Sequence, residues 1–207
     1  MAQYKPYLFL LLLVPGFSAC TDRQAGDRDK AKHDKPKERV KARLEDCIYR
    51  KDTLFDATSS LKYVIRDTFY DVRVQLENKD TMLGYRFDCT VPQGLVPAFY
   101  AYHKHTLCLL RGSGQSYREF TICYIHDGRM MVKYYETALA AKLEEDLVVY
   151  QDYNEPRKII MEDIRTEQQK IVKLPGSLTN TAIIRTRISK NKLVIELANE
   201  QQITFRR

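Results

Sequence analysis

Residues 136–150 read ETALAAKLEEDLVVY, and how they fold decides the fold class. Leu139, Leu143 and Leu147 recur at i, i+4 and i+8 with Ala140 adjoining, the spacing that lines up apolar side chains on one face of an α-helix. An amphipathic helix of about four turns is expected. Glu144, Glu145 and Asp146 then occupy its polar face, where solvation is their expected role rather than paired acid–base work. Downstream, Asn154-Glu155-Pro156 opens a second candidate helix running to Gln169 with Ile160 and Ile164 on one face. The run Lys158-Ile159-Ile160-Met161 is also strand-like, so 155–172 has a hairpin as its alternative, with the helix favoured.

Outward from this helical centre the pattern is β. Candidate strands are Lys62–Thr68, Tyr70–Glu77, Gly84–Val91 and Ala98–Arg111, each rich in aromatic and β-branched residues. Asn78-Lys79-Asp80 is read as a turn. Gly112 to Gln115 is read as a hairpin connection into Tyr117–His126, and Asp127-Gly128 is the two-residue turn that tolerates positive φ at both positions. Arg129–Tyr135 returns. Residues 98–135 are therefore expected to form a three-stranded meander. Symmetric closure of its first hairpin pairs Leu109 with Arg118 and Leu107 with Phe120. Closure of the second pairs Ile122 with Lys133 and Tyr124 with Met131, with Cys123 beside Val132 on the other face. Apolar residues on both faces imply cover on both sides. Past Pro175-Gly176, Thr181–Ser189 and Lys192–Ala198 form a hairpin about Lys190-Asn191, and Gln202–Arg206 is an edge strand. The expected fold is α+β, a mostly antiparallel sheet with a central meander and one or two amphipathic helices.

The chain has 207 residues, 44% of them hydrophobic, with 34 Lys plus Arg against 27 Asp plus Glu, net +7. That apolar share suffices for a core and excludes disorder throughout, while eight Gly and seven Pro exclude collagen-like and low-complexity classes. No internal repeat is visible.

The N-terminus has a different character. Lys5 precedes the uncharged run Tyr7 to Val14, too short for the roughly 20 residues of a spanning helix but suited to the apolar region of a secretory signal. Pro15-Gly16 ends it, and Phe17-Ser18-Ala19-Cys20 follows. This resembles the lipobox of bacterial lipoproteins, a resemblance confined to the first 20 residues. It implies cleavage after residue 19 and acylation of Cys20, a palmitate-type anchor with enough acyl carbon for stable membrane attachment. Thr21 implies, by the sorting rule of some Gram-negative lipoproteins, passage to the outer membrane rather than inner-membrane retention. Residues 21–46 carry nine Lys or Arg and seven Asp or Glu and almost nothing to bury, which suits a solvated tether. The organisation is thus signal peptide 1–19, lipidated Cys20 with a charged tether to residue 46, and one domain over 47–207.

Loss of the signal removes only Lys5, and the tether holds a surplus of two cations, so the domain from Cys47 onward has 24 cationic against 20 anionic residues, net +4. Those cations are scattered singly, and with an export signal nucleic acid is not an expected partner.

Cys47, Cys89, Cys108 and Cys123 remain for disulfides, an even count in an exported chain with three pairings open. The symmetric register sets Cys108 and Cys123 roughly 13 Å apart, beyond the roughly 7 Å reach of a disulfide, so that pair is not expected. His103 and His105 share a strand face, and the same register places His126 opposite Ala101 and diagonal to His103. Three imidazoles gathered within about 7–8 Å would suit zinc or copper, and this is the metal candidate, weighed against a structural role for all three. Tyr100 and Tyr102, on the opposite face, read as packing aromatics. No Gly-x-Ser-x-Gly, His-Glu-x-x-His, phosphate-loop or Cys-x-x-Cys pattern occurs, Ser113 reads as a hairpin residue, and no cofactor is expected. The function that follows is a lipid-anchored envelope protein with a binding or structural role, contacting another envelope protein or a small ligand. The alternative is an envelope hydrolase or metal-dependent enzyme using His103, His105 and His126.

Overall fold

The computed structural model describes residues 50–66, 68–112, 118–176, 182–190 and 192–206. The signal, Cys20, the tether, Cys47, Ser113 and Asn191 lie outside the described residues.

Within them the chain forms four consecutive antiparallel sheets in which neighbours in sequence are neighbours in space. The first contains β1 (Thr53–Asp56), β2 (Ser59–Arg66), β3 (Phe69–Leu76) and β4 (Lys79–Met82). The second contains β5 (Ala98–His103), β6 (Thr106–Arg111), β7 (Glu119–His126) and β8 (Arg129–Tyr135). The third runs from β9 (Ala138–Lys142) through β10 (Leu147–Gln151) and β11 (Lys158–Asp163) to β12 (Gln169–Lys173), and the fourth has β13 (Ile183–Ser189), β14 (Lys192–Leu197) and β15 (Gln202–Arg206). No α-helix occurs among the described residues, where 3-10 turns include Gln93–Leu95 and Leu143–Glu145.

The α+β expectation is therefore corrected to all-β. Residues 136–150 form two strands, β9 and β10, joined by the turn at Leu143–Glu145. Thr137 and Asp146 adopt φ of +51° and +48°, left-handed backbone incompatible with a continuous helix. The three leucines do not share a face. Leu139 and Leu147 enter the core shared with the fourth sheet, and Leu143 the core shared with the second. A strand pair buried on both faces uses nearly every apolar position, so helical spacing among its leucines is coincidental. Likewise 155–172 is the hairpin alternative, not the favoured helix. Asp163 Oδ1 turns it by accepting the backbone N–H of Arg165 at 3.0 Å and of Thr166 at 2.7 Å.

The meander spans 98–135 as expected but has four strands. Lys104 and His105, with φ of +40° and +60°, form a tight turn that divides the expected strand 98–111 into β5 and β6. The second hairpin has the expected register, Ile122 opposite Lys133 and Tyr124 opposite Met131, closed by Asp127 and Gly128 at φ of +49° and +70°. The first does not. Leu109 lies opposite Thr121 rather than Arg118, and Arg111 opposite Glu119. That last pair is an ion pair of 2.7 Å, so the connection is longer than a symmetric closure at Gly112 to Gln115 assumes. The expected strand Gly84–Val91 is instead an irregular link with one bridge, Phe87 to Tyr70. The expected turn residues Lys79 and Asp80 begin β4, the chain reversing one step earlier through Glu77 and Asn78 at φ of +47° and +62°.

The sheets stack face to face, as blades succeed one another in repetitive β architectures. The period-2 alternation of each inner strand divides its side chains between two cores. On β7, Cys123 faces the first sheet beside Leu107, Leu109, Leu61 and Val72, while Phe120, Ile122 and Tyr124 face the third beside Val148, Leu143 and Ile164. On β10, Val148 belongs to that second core, and Leu147 and Val149 join Leu193, Ile195 and Leu197 in the third. Phe120, Ile122 and Ile195 are fully buried, each such side chain contributing about 1.5–3 kcal/mol. The outward faces of the first and fourth sheets carry polar residues, Lys62 and Arg73 on one, Arg187 and Lys192 on the other.

Candidate functional site

The second core does not stay apolar along its whole length. Tyr150 and Glu162 follow Val148 and Ile160 on the face of the third sheet turned toward the second, since Val148 lies opposite Glu162 and Tyr150 opposite Ile160. Gln169 of β12 is directly opposite Glu162. Tyr135, at the end of β8, reaches across from the second sheet. These side chains form the floor of a cleft of about 620 Å³, with Lys133, Thr137, Asp152 and Glu167 around it.

Glu162 organises the floor. It is 6% exposed, and an unpaired carboxylate at that depth would be costly. Its Oε1 accepts the Tyr135 hydroxyl at 2.8 Å, and its Oε2 accepts the Tyr150 hydroxyl and the Gln169 side-chain amide, each at 2.8 Å. The two tyrosine rings are 5.3 Å apart. Lys133 Nζ lies 3.8 Å from Oε1 but is held chiefly elsewhere, donating to the Ile164 carbonyl at 2.7 Å and to Glu167 at 2.8 Å. Burial, then the bond to Glu162, raises the pKa of both tyrosines well above the usual phenol value, so the hydroxyls stay protonated donors. Partial burial pulls the Lys133 pKa down, but the bond from its ammonium to Glu167 and the surrounding negative charge outweigh this and raise it. The reciprocal bond lowers the Glu167 pKa.

A carboxylate offers about four acceptor positions, and three are used. The cleft thus presents a fixed, oriented acceptor with one position in reserve. Glu136, Asp152, Glu162 and Glu167 set against Lys133 make its lining acidic in a domain of net positive charge. Tyr153, 74% exposed, stands at the cleft's edge.

The histidines are placed differently from expectation. His103 ends β5, and His105 lies in the following turn, its Nε2 3.4 Å from Glu77 and its Nδ1 3.5 Å from the Tyr102 hydroxyl. His126 ends β7 with Nε2 3.6 Å from Asp127. Ala101, expected opposite His126, pairs with Cys108, because the expected strand is folded into a hairpin. Among the described residues no three His, Cys, Asp or Glu side chains are grouped to hold a metal. Glu144, Glu145 and Asp146 lie at the β9–β10 turn, where Glu145 pairs with Lys142 and Asp146 with Arg165. Tyr100 packs on Phe120, and Tyr102 stacks on Phe55 and donates to Asp56, whose pKa is thereby held well below the usual carboxylate range.

Cys108 and Cys123 are free, and they are not bridged to each other, as expected, though for another reason. They sit on opposite faces of the second sheet, one in each adjoining core. Burial pushes the Cys123 thiol up to about 12 and Cys108 higher still, so neither is a nucleophile at neutral pH. Cys89 is disulfide-bonded.

The Glu162 cluster was missed by the sequence reading. Its one signal is Glu162 directly after the apolar run Ile159 to Met161, an acid that a strand reading places on a buried face and in need of partners. Set against known proteins, the sequence matches no family model and is similar to no curated protein.

Proposed function

We propose that the chain is a bacterial lipoprotein, anchored through Cys20 in the envelope, on the outer membrane by its Thr21, with a binding role. Its β domain holds a small polar ligand in the Glu162 cleft. The observation that carries the binding role is the Glu162 carboxylate itself, fixed by Tyr135, Tyr150 and Gln169 at the floor of a cleft with an acidic lining. Such a floor receives a hydrogen-bond donor or a cationic group and repels an anion. The metal-dependent alternative has less support, since His103, His105 and His126 form no ligand set among the described residues.

Two measurements test this. Cys20→Ala should release the protein from the membrane fraction and end palmitate incorporation. A variant that still pellets beside an unlabelled wild type sinks the anchor. For the cleft, saturation-transfer NMR against a mixture of neutral saccharides, primary amines and carboxylic acids should find binders in the first two classes that Glu162→Gln weakens at least tenfold. Binding of carboxylic acids alone, or binding indifferent to that substitution, overturns the cleft.

A further inference from the structure

The outward face of the fourth sheet carries a charge pattern that the cleft does not use. Strand register fixes which side chains share it. Arg187 lies opposite Val194 and then Thr204, Arg185 opposite Glu196 and Gln202, and Ser189 opposite Lys192 and Arg206. Leu193, Ile195 and Leu197 point the other way into the third core. Four cations and one carboxylate therefore stand on one side of three strands, all four cations exposed. Glu196 lies 4.0 Å from Arg187, leaving a net surplus of three positive charges on this face. Exposed Lys190 at the β13–β14 hairpin adds another. With strands about 4.8 Å apart and about 3.4 Å per residue, the patch measures about 10 by 14 Å. That is comparable with the Debye length of about 8–10 Å, so the charges act together. The outward face of the first sheet has no such pattern, since Arg73 is paired with Asp80 at 2.9 Å and Asp71 lies on the same side as Lys62.

We propose that this face docks on an anionic phospholipid surface. Dispersed cations and few apolar side chains fit contact with headgroups rather than insertion, Val194 being the one aliphatic residue in the paired rows and Ile184 lying exposed at the β13 bulge. The choice of a membrane as the polyanion rests on the anchor reading, which keeps the domain within a tether's length of a bilayer. Docking would hold the fourth sheet against the membrane by charge, with each cation near the surface contributing about a fivefold gain in binding.

The test uses the chain from residue 21 onward, so that the acyl anchor plays no part and either proposal can fail alone. All three cores lie within the described domain. In sedimentation with vesicles of phosphatidylcholine and phosphatidylglycerol at three to one, the chain should bind, and with phosphatidylcholine alone it should not. Arg187→Gln, Lys192→Gln and Arg206→Gln combined should weaken binding at least tenfold. Lys62→Gln with Arg73→Gln on the first sheet should change it less than twofold. Should the triple variant lose its far-UV circular dichroism, the single Lys192→Gln replaces it, with a fewfold loss expected. Equal binding to both vesicle types, unchanged binding of the substituted fourth sheet, or tighter binding to duplex DNA than to vesicles at equal phosphate would each overturn the proposal.

Discussion

Two buried glutamates, Glu119 and Glu162, are each 6% exposed and each hydrogen-bonded by tyrosine, yet they are built for different ends. Glu119 begins β7 and meets Arg111 at 2.7 Å directly across the β6–β7 pair, with Tyr85 donating at 2.7 Å and the Arg111 guanidinium 4.8 Å above the Tyr85 ring. Its charge is answered by a full opposite charge at contact distance, and it pins a strand register. Glu162 is answered by neutral dipoles from three strands, with its nearest ammonium at 3.8 Å and committed to Glu167. An ion pair closes a site upon itself, whereas a carboxylate held by neutral donors keeps its charge available to whatever enters the cleft beside it.

The comparison breaks most sharply at Glu119. Glu119→Gln removes the negative partner of a largely buried guanidinium and should cost about 3 kcal/mol in urea unfolding, with ligand binding by the folded fraction unchanged. A cost below about 1 kcal/mol would mean the pair does not set the register. Glu162→Gln keeps the shape and leaves Lys133 with Glu167, so its expected cost is smaller, about 1–2 kcal/mol for one donor left facing an amide. Its larger effect should fall on binding. If the two substitutions cost the same and neither alters binding, the distinction between a closed and an open carboxylate collapses.

The second hairpin of the meander was legible because Asp127-Gly128 is a local turn signal that fixes its own register. The register of the first hairpin was not legible, since it depends on the Arg111–Glu119 pair, and nothing local says how long the connection between them is. A slip of three residues moves every side chain to the other face. The unforeseen turn at Lys104 and His105 is why the histidine trio was expected together, and the slip is why the separation of Cys108 and Cys123 was assigned to distance along the strands rather than to opposite faces. The helix at 136–150 failed for a related reason. Period 3.6 and period 2 are told apart by leaving one face polar, and a sheet sandwiched between two others leaves neither. The cleft was hidden by the helical readings of 136–150 and 155–172. Its floor needs β10, β11 and β12 as strands, and Glu162 shares a face with Tyr150 and Gln169 only in that fold.

The finest test of the comparison lies in the tyrosines. Tyr135→Phe and Tyr150→Phe each remove one donor from Glu162 and should cost about 1 kcal/mol at neutral pH, as should Tyr85→Phe at Glu119. Burial first, then bonding to a glutamate, raises the pKa of all three phenols above the unfolded value of about 10. A raised pKa means that the folded chain holds protons the unfolded chain has released. These tyrosines therefore contribute fully below about pH 10 and lose their contribution as pH rises through the folded-state values. Stability should be level from pH 7 to about 10 on their account and fall beyond. Phenolate absorbance at 295 nm should show a late fraction appearing only with unfolding, reduced stepwise in the three variants. Tyr150 is more exposed than Tyr135, so a ligand in the cleft should delay its ionisation and leave that of Tyr85 where it was. A ligand that shifts Tyr85 instead would place binding at the wrong glutamate.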